Sequence, residues 1–308
     1  MAKEKYHDKG YKELLSKRRN FIKFLRHFVK SDWVKRIDEE SLHLCDKGFV
    51  DPFFKELESD LIYSAKVAEK DVYFYVLTEL QSATDPTMPF RMFKYISAIL
   101  MRAFNNTPKE IRQRLDFRLP AVVPIVLYNG ESKWPTTRNF KDYLQDGHMF
   151  EGVIDFQYTL VDINLLDREY LIKHHDAICA ALAVDMIRGE KLEQLRSTLK
   201  EIIHSKSGFD PDEFMDFLDW LKHTLKHRVK SEEDADKVIQ LIEKGDEAIM
   251  RTGIDIVFDN MENAVRLETA AELIKSGLDF TDIANRLNLT NEQRDKLAED
   301  IGLVKEFA

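Results

Sequence analysis

Apolar positions recur at helical spacing through YKELLSKRRNFIKFLRHFV, which predicts a first helix from about Lys9 to Val29. The next stretch, DEESLHLCDKGFVDPFFKELESD, keeps no single period and reads as a mixed connector. Two strands follow it. DLIYSAK is short and apolar, and VYFYVLTELQS is rich in the β-branched and aromatic residues that suit a pleated, largely buried surface. The short polar link VAEKD between them predicts a hairpin with its turn centred near Ala68 to Glu69. Two prolines in TDPTMP break the chain, and FRMFKYISAILMRAFNN then repeats as a long amphipathic helix. AVVPIVLYNG and DFQYTLVDIN are two further strands. From about residue 168 strand-like runs give way to helical periods, punctuated by Gly208, Gly245 and Gly277. The pattern therefore predicts a mixed α/β domain over residues 1–168 and an all-helical region over residues 169–308.

Composition narrows the class. With 44% hydrophobic and 33% charged residues in 308, the chain can bury a core without staples. Its two cysteines, Cys45 and Cys179, are far apart and form no C-x-x-C, which argues against a disulfide scaffold or a structural zinc site. No run of about 18 apolar residues is present to span a membrane, and the N-terminus has no apolar core of a signal peptide. A reducing cytoplasm is the expected location.

The net charge of -9 argues against a protein that coats nucleic acid nonspecifically, but the charge is unevenly placed. Residues 1 to 36 carry twelve Lys/Arg against four Asp/Glu, a local +8. Such a stretch is either a solvated helix or a phosphate-binding face.

The chemistry-bearing positions lie at one end of the predicted hairpin. Residues two apart on a strand share a face, so Glu79 and Gln81 lie together with Tyr73, Tyr75 and Leu77. A turn near Ala68 to Glu69 brings residue 60 roughly opposite residues 77 to 79, so Asp60 meets Glu79 at that end. Two carboxylates that close repel unless a cation separates them. Mg²⁺ suits such a pair, since it takes oxygen ligands from one or two carboxylates, waters and a phosphate; Mn²⁺ or Ca²⁺ are the alternatives. Gln81 is suited to orienting a water or donating to a phosphate, and is a poor base. The plainer reading of these acids is the solvated rim of a sheet, because a pattern this short matches many strands by chance.

Other candidates are weaker. His174 and His175 are adjacent, so on a helix they point about 100° apart and do not suit one metal. Cys179 lies in the apolar run CAALAVDMI and reads as a small core residue. No P-loop, dinucleotide-binding or serine-hydrolase motif occurs. Near the C-terminus, TDIANRLN and LTNEQRDKLAED, with Thr281 and Thr290 as expected N-caps, have the outline of a helix-turn-helix. The second of them carries four acids, which favours packing or assembly over DNA reading.

Five separated segments occur in one order: HDKGYKELLS, ESDLIYSAK, the strand end TELQS, DPTMPFRMFKY and LPAVVPIVLYNGESKW. Together, over about residues 7 to 165, they resemble the recombination-promoting nuclease family, also described as transposase-like, within the PD-(D/E)XK nuclease superfamily. The resemblance implies a restriction-endonuclease-like mixed sheet flanked by helices, and metal-dependent cleavage of DNA linked to recombination or mobile elements. It implies that Asp60 and Glu79 are the metal ligands and that Gln81 stands where the wider superfamily has lysine. Asp8 and Lys12 match the start of the family pattern, with Asp8 placed to support the site from the first helix. Without the lysine, the phosphate charge needs another partner, for which Lys66 and Arg91 are the candidates; Tyr95 lies one turn beyond Arg91. Three positions depart from the pattern: Leu80 and Asn129 replace histidines, and Lys94 replaces an arginine. None of them removes a metal ligand.

The expected protein is thus a DNA endonuclease of low sequence specificity using Mg²⁺ or a similar cation, with a helical region suited to self-association as a homodimer. The alternative is a catalytically inactive nuclease fold kept as a binding or assembly module.

Overall fold

The computed structural model describes residues 2–45, 61–79, 85–130, 132–187, 191–228, 232–244 and 247–302. The described helices, in chain order, are α1 (Ala2–Ser16), α2 (Arg18–Phe28), α3 (Met88–Asn106), α4 (Lys109–Arg112), α5 (Phe140–Tyr143), α6 (Arg168–Lys173), α7 (Ala177–Asp185), α8 (Leu192–His204), α9 (Pro211–Arg228), α10 (Glu232–Lys244), α11 (Glu247–Lys275), α12 (Phe280–Arg286) and α13 (Asn291–Asp300). The strands are β1 (Ile37–Leu44), β2 (Leu61–Val67), β3 (Lys70–Glu79), β4 (Ala121–Tyr128) and β5 (Thr159–Asp162). They form one five-stranded sheet in the order β1-β2-β3-β4-β5. The first three strands are an antiparallel meander, and β4 and β5 then run parallel to β3. A parallel neighbour needs a crossover, and α3 lies in the connection from β3 to β4.

Both faces of the sheet are covered, which explains why β3 and β4 read as nearly continuous apolar runs. On one face Phe21 of α2 stacks on Tyr63 at 4.0 Å and sits 6.1 Å from Phe74. The Tyr63 hydroxyl lies 2.9 Å from the Leu15 carbonyl oxygen and 2.6 Å from that of Ser16, tying the end of α1 to β2. On the other face Met88, Met92, Tyr95 and Ile99 of α3 pack with Ile62, Val126 and Tyr158.

Two expectations change. The first helix is two helices, because Lys17 is extended (φ -83°, ψ 119°) and breaks the chain between α1 and α2. Immediately after the break, the buried Asn20 donates to the Leu14 carbonyl at 3.0 Å and to Asp216 at 2.9 Å. The mixed connector contains β1, an edge strand in which only Ile37 and Leu42 are buried.

The chain divides into two compact units: residues 1–189 with 204–227, and residues 190–203 with 228–308. The first holds the whole sheet and most of α9. The second is helical in its described residues. Around Ala270 of α11, the short helices α12 and α13 contribute Ile283, Ala284 and Leu297 to a core completed by Leu289. Gly277 ends α11 with φ +101°, and the Leu278 amide reaches back to the Leu273 carbonyl at 3.3 Å, closing the helix as the glycine predicted. Thr290 caps α13 in a full capping box with Gln293, whereas the cap of α12 is Asp279 rather than Thr281. Gly245 lies outside the described residues. Among the described residues no helix is long and apolar enough to cross a membrane.

Candidate active site

The hairpin that carries the candidate ligands is built as its sequence predicts. Ala68 and Glu69 both take positive φ, 49° and 65°, and Val67 pairs with Lys70 across them. Two central residues at positive φ define the tight turn whose twist matches antiparallel strands. Pairing then runs without a slip to Leu61↔Val76. On its other side β3 is paired with β4 to its last residue, where Glu79 pairs with Tyr128. The backbone thus places Glu79 at the end of β3 remote from the hairpin turn. Asp60, Leu80 and Gln81 lie outside the described residues.

The loop leaving β4 at this end is tightly held. Tyr128 is fully buried and donates its hydroxyl to the Ser132 carbonyl at 2.7 Å. Its ring folds back over Gly130, where a Cβ would meet the Tyr128 hydroxyl oxygen at 2.2 Å, so only glycine fits. Asn164 donates to the Gly130 carbonyl at 2.8 Å and to Asp162 at 2.9 Å. Asn129, between these anchors, is 7% exposed and donates through Nδ2 to Asp185 at 2.7 Å. The Tyr11 hydroxyl donates to the same carboxylate oxygen at 3.2 Å. Sequence reasoning passed over Asp185, although an acid closing the apolar run of α7 was a visible signal.

The remaining candidates separate. Asp8 is placed by the backbone of α1, one turn before the half-buried Lys12. Lys66 is exposed on β2 opposite Asp71, near the turn end of the hairpin. Asp71 stands eight residues before Glu79 on β3, or roughly 26 Å at the usual rise per residue. Lys66 therefore does not supply a cation to a phosphate bound beside Glu79. Arg91 is paired with Asp85 at 3.0 Å at the start of α3. Burial acts to raise the Asp85 carboxyl, but bonds from Thr87 and Arg91 outweigh it and hold the group below its usual range. Tyr95 is 3% exposed within the core under α3, so it can support the site but offers no surface to DNA.

Much of the basic N-terminal charge is engaged inside the first unit. Arg19 bonds Asp216 at 2.8 Å and Asp212 at 3.0 Å, Lys17 pairs with Asp216, and Lys23 bonds Glu213 at 2.7 Å. All three acids lie on α9. Arg18 and Arg26 pair with Glu40 and Glu39 of β1. These five cations thus have carboxylate partners within the protein, which weakens the case for a free phosphate-binding face.

Among the described residues one other group has metal-ligating types together: His27, Asp176 and Cys179, with ligand atoms within 4.8 Å of one another. Its bonds already account for it. Asp176 caps α7 by accepting the Cys179 amide at 2.9 Å, and its other oxygen lies 2.9 Å from His27 Nε2. His27 Nδ1 is 2.8 Å from the Tyr170 hydroxyl. Burial pushes the Cys179 thiol well up, so it stays neutral and a poor ligand. The adjacent histidines diverge as expected: the His174 ring lies 4.0 Å from Tyr170, and His175 stacks with Phe209 at 5.8 Å.

The antiparallel meander, the crossover helix and the parallel fourth strand make this a PD-(D/E)XK-like fold with a helical C-terminal region. The model of the family described as "Putative transposase, YhgA-like" matches residues 5–213. The chain belongs to that family. It is 27% identical over 205 residues to the recombination-promoting nuclease RpnD of Escherichia coli O157:H7, covering 66% of this chain and 76% of that one. It is 25% identical to RpnC of E. coli K12, also named a recombination-promoting nuclease, over 94% of this chain and 96% of that one. It is also 25% identical, over 60% of each chain, to RpnE of the same strain, which is named an inactive recombination-promoting nuclease-like protein. No solved structure matches the chain.

Proposed function

We propose that this protein is a metal-dependent DNA endonuclease acting in recombination. The observation that carries the reading is the unbroken register of the β2–β3 hairpin, in a chain similar to two proteins named recombination-promoting nucleases. The reading requires that register to continue by one residue, which sets position 60 opposite Leu77 and within reach of Glu79. Asp60 and Glu79 would then hold a divalent cation, and their oxygen donors suit Mg²⁺ or Mn²⁺. The bound cation supplies Lewis acidity and a more acidic water. Gln81 orients that water or a phosphate oxygen through its amide. Asp8 and Lys12 support the site from α1. Low sequence specificity follows, because no element among the described residues presents a clear base-reading face.

A second reading has its own support. The inactive relative shows that this kind of chain also occurs under a name that denies activity. On that reading the fold is a binding or assembly module. Plasmid incubated with purified protein and Mg²⁺, Mn²⁺ or Ca²⁺, beside Asp60→Ala and Glu79→Ala, separates the two. The nuclease reading expects nicking by the parent and not by the variants. Failure to nick with any cation supports the binding module, and equal nicking by all three proteins rejects this site.

A further inference from the structure

All nine residues of α7 are buried, and eight of them are apolar or cysteine; the ninth is Asp185, whose residue is 1% exposed. A carboxylate is costly to bury unless donors hold it. Two donors do so from distant parts of the chain: Asn129 Nδ2 at 2.7 Å and the Tyr11 hydroxyl at 3.2 Å. Each lies next to residues that the nuclease reading uses. Asn129 directly follows Tyr128, the register partner of Glu79. Tyr11 sits on α1 between Asp8 and Lys12.

We infer that Asp185 is the positioning residue of the candidate nuclease site, fixing α1 and the exit of β4 against each other beside Glu79. The inference rests on the nuclease reading. Asp185 acts through its neighbours. Because its oxygen accepts a hydrogen bond from Asn129 Nδ2, the Asn129 amide is locked in one orientation, with Oδ1 turned the other way. The same oxygen anchors α1 through Tyr11. Supporting shells of this kind hold metal ligands in place, and losing one typically costs about ten- to a hundredfold in affinity or activity.

The test is a swap of the bonded pair, made in the full chain. Asp185→Asn alone replaces the charged acceptor with a neutral, weaker one and adds an NH2 that has no acceptor facing it, and Asn129→Asp alone sets two carboxylates against each other. The double variant restores a donor facing an acceptor. Three quantities are measured on each: thermal midpoint, Mn²⁺ affinity by calorimetry, and plasmid nicking with Mn²⁺. Each single variant is expected to bind Mn²⁺ and nick about tenfold less well, and the double variant to recover most of both. If Asp185→Asn does not fold, Tyr11→Phe, which removes the longer bond and leaves the Asn129 bond in place, carries the test with an expected loss of about threefold. An Asp185→Asn protein that is less stable yet binds Mn²⁺ and nicks like the parent makes Asp185 merely structural and overturns the inference alone. A parent that neither binds Mn²⁺ nor nicks overturns the nuclease reading and this inference with it.

Discussion

The two compact units hold their polar groups in opposite ways. In the sheet-bearing unit, buried polar side chains are joined across great sequence distances: Tyr11 to Asp185, Asn129 to Asp185, and Lys17, Arg19 and Asn20 to Asp216. In the described residues of the helical unit, bonds such as Thr290 with Gln293, Asp279 with the Asp282 amide, and Arg294 with Asn285 are local and exposed, and a longer-range pair, Arg196 with Asp259, is exposed as well. Local caps stabilise helices wherever those helices are placed. Buried long-range networks are costly unless complete, and they fix one arrangement of elements. The contrast puts the buried, geometry-fixing networks in the first unit, where the nuclease reading needs them, while the second relies on packing, capping and exposed ion pairs such as Arg196 with Asp259.

The largest effect that sharpens this contrast is on chemistry. Glu79→Ala is expected to lower nicking by more than about a hundredfold, beyond the usual loss for a merely supporting residue, while circular dichroism shows an unchanged fold. Next comes Asp216→Ala, measured by urea unfolding. It is expected to cost about 3 kcal/mol, at the low end for breaking a buried ion pair because Lys17 and Arg19 keep partial access to water.

The same clamp gives a pH dependence. Burial acts to raise the carboxyls of Asp216 and Asp176, but the bonds from Arg19 and Lys17 to the first, and from His27 and the Cys179 amide to the second, hold both below the usual range. A carboxyl depressed in the fold stabilises it fully above its unfolded value, about 3.9, and that contribution is lost as pH falls through the lower folded value. Urea midpoints should therefore fall as pH is taken from 5 toward about 3, and Asp216→Ala should flatten the slope. The smallest effect belongs to the helical unit. Thr290→Ala removes one cap and is expected to cost about 1 kcal/mol, read by hydrogen exchange in α13, with nicking unchanged. A large loss of nicking there would break the contrast.

Much of this fold was legible where local rules decide it. The hairpin turn at Ala68 and Glu69 lies where the polar link between two apolar runs put it. The caps at Gly277 and Thr290 followed from residue type. What could not be read depends on distant partners. β1 escaped notice because an edge strand such as IDEESLHL buries only two side chains and looks polar throughout. The break at Lys17 was hidden by helical spacing that continues through it, while the contacts around it involve Asp216, about 200 residues away. The basic N-terminus looked like a free charged face for the same reason, since its acidic partners lie on α9. Of the candidate site, the pairing of β2 with β3 was predictable from the turn, whereas the bond between Asn129 and Asp185 joins residues 56 apart. No local pattern encodes that bond.

Crystals of the protein soaked with Mn²⁺ test the account most directly, because anomalous scattering locates the metal without reference to activity. The account predicts one Mn²⁺ bridging carboxylate oxygens of Asp60 and Glu79 at the end of β3. Those two carboxylates on opposite faces of the sheet, or too far apart for a single ion to touch both, would contradict it.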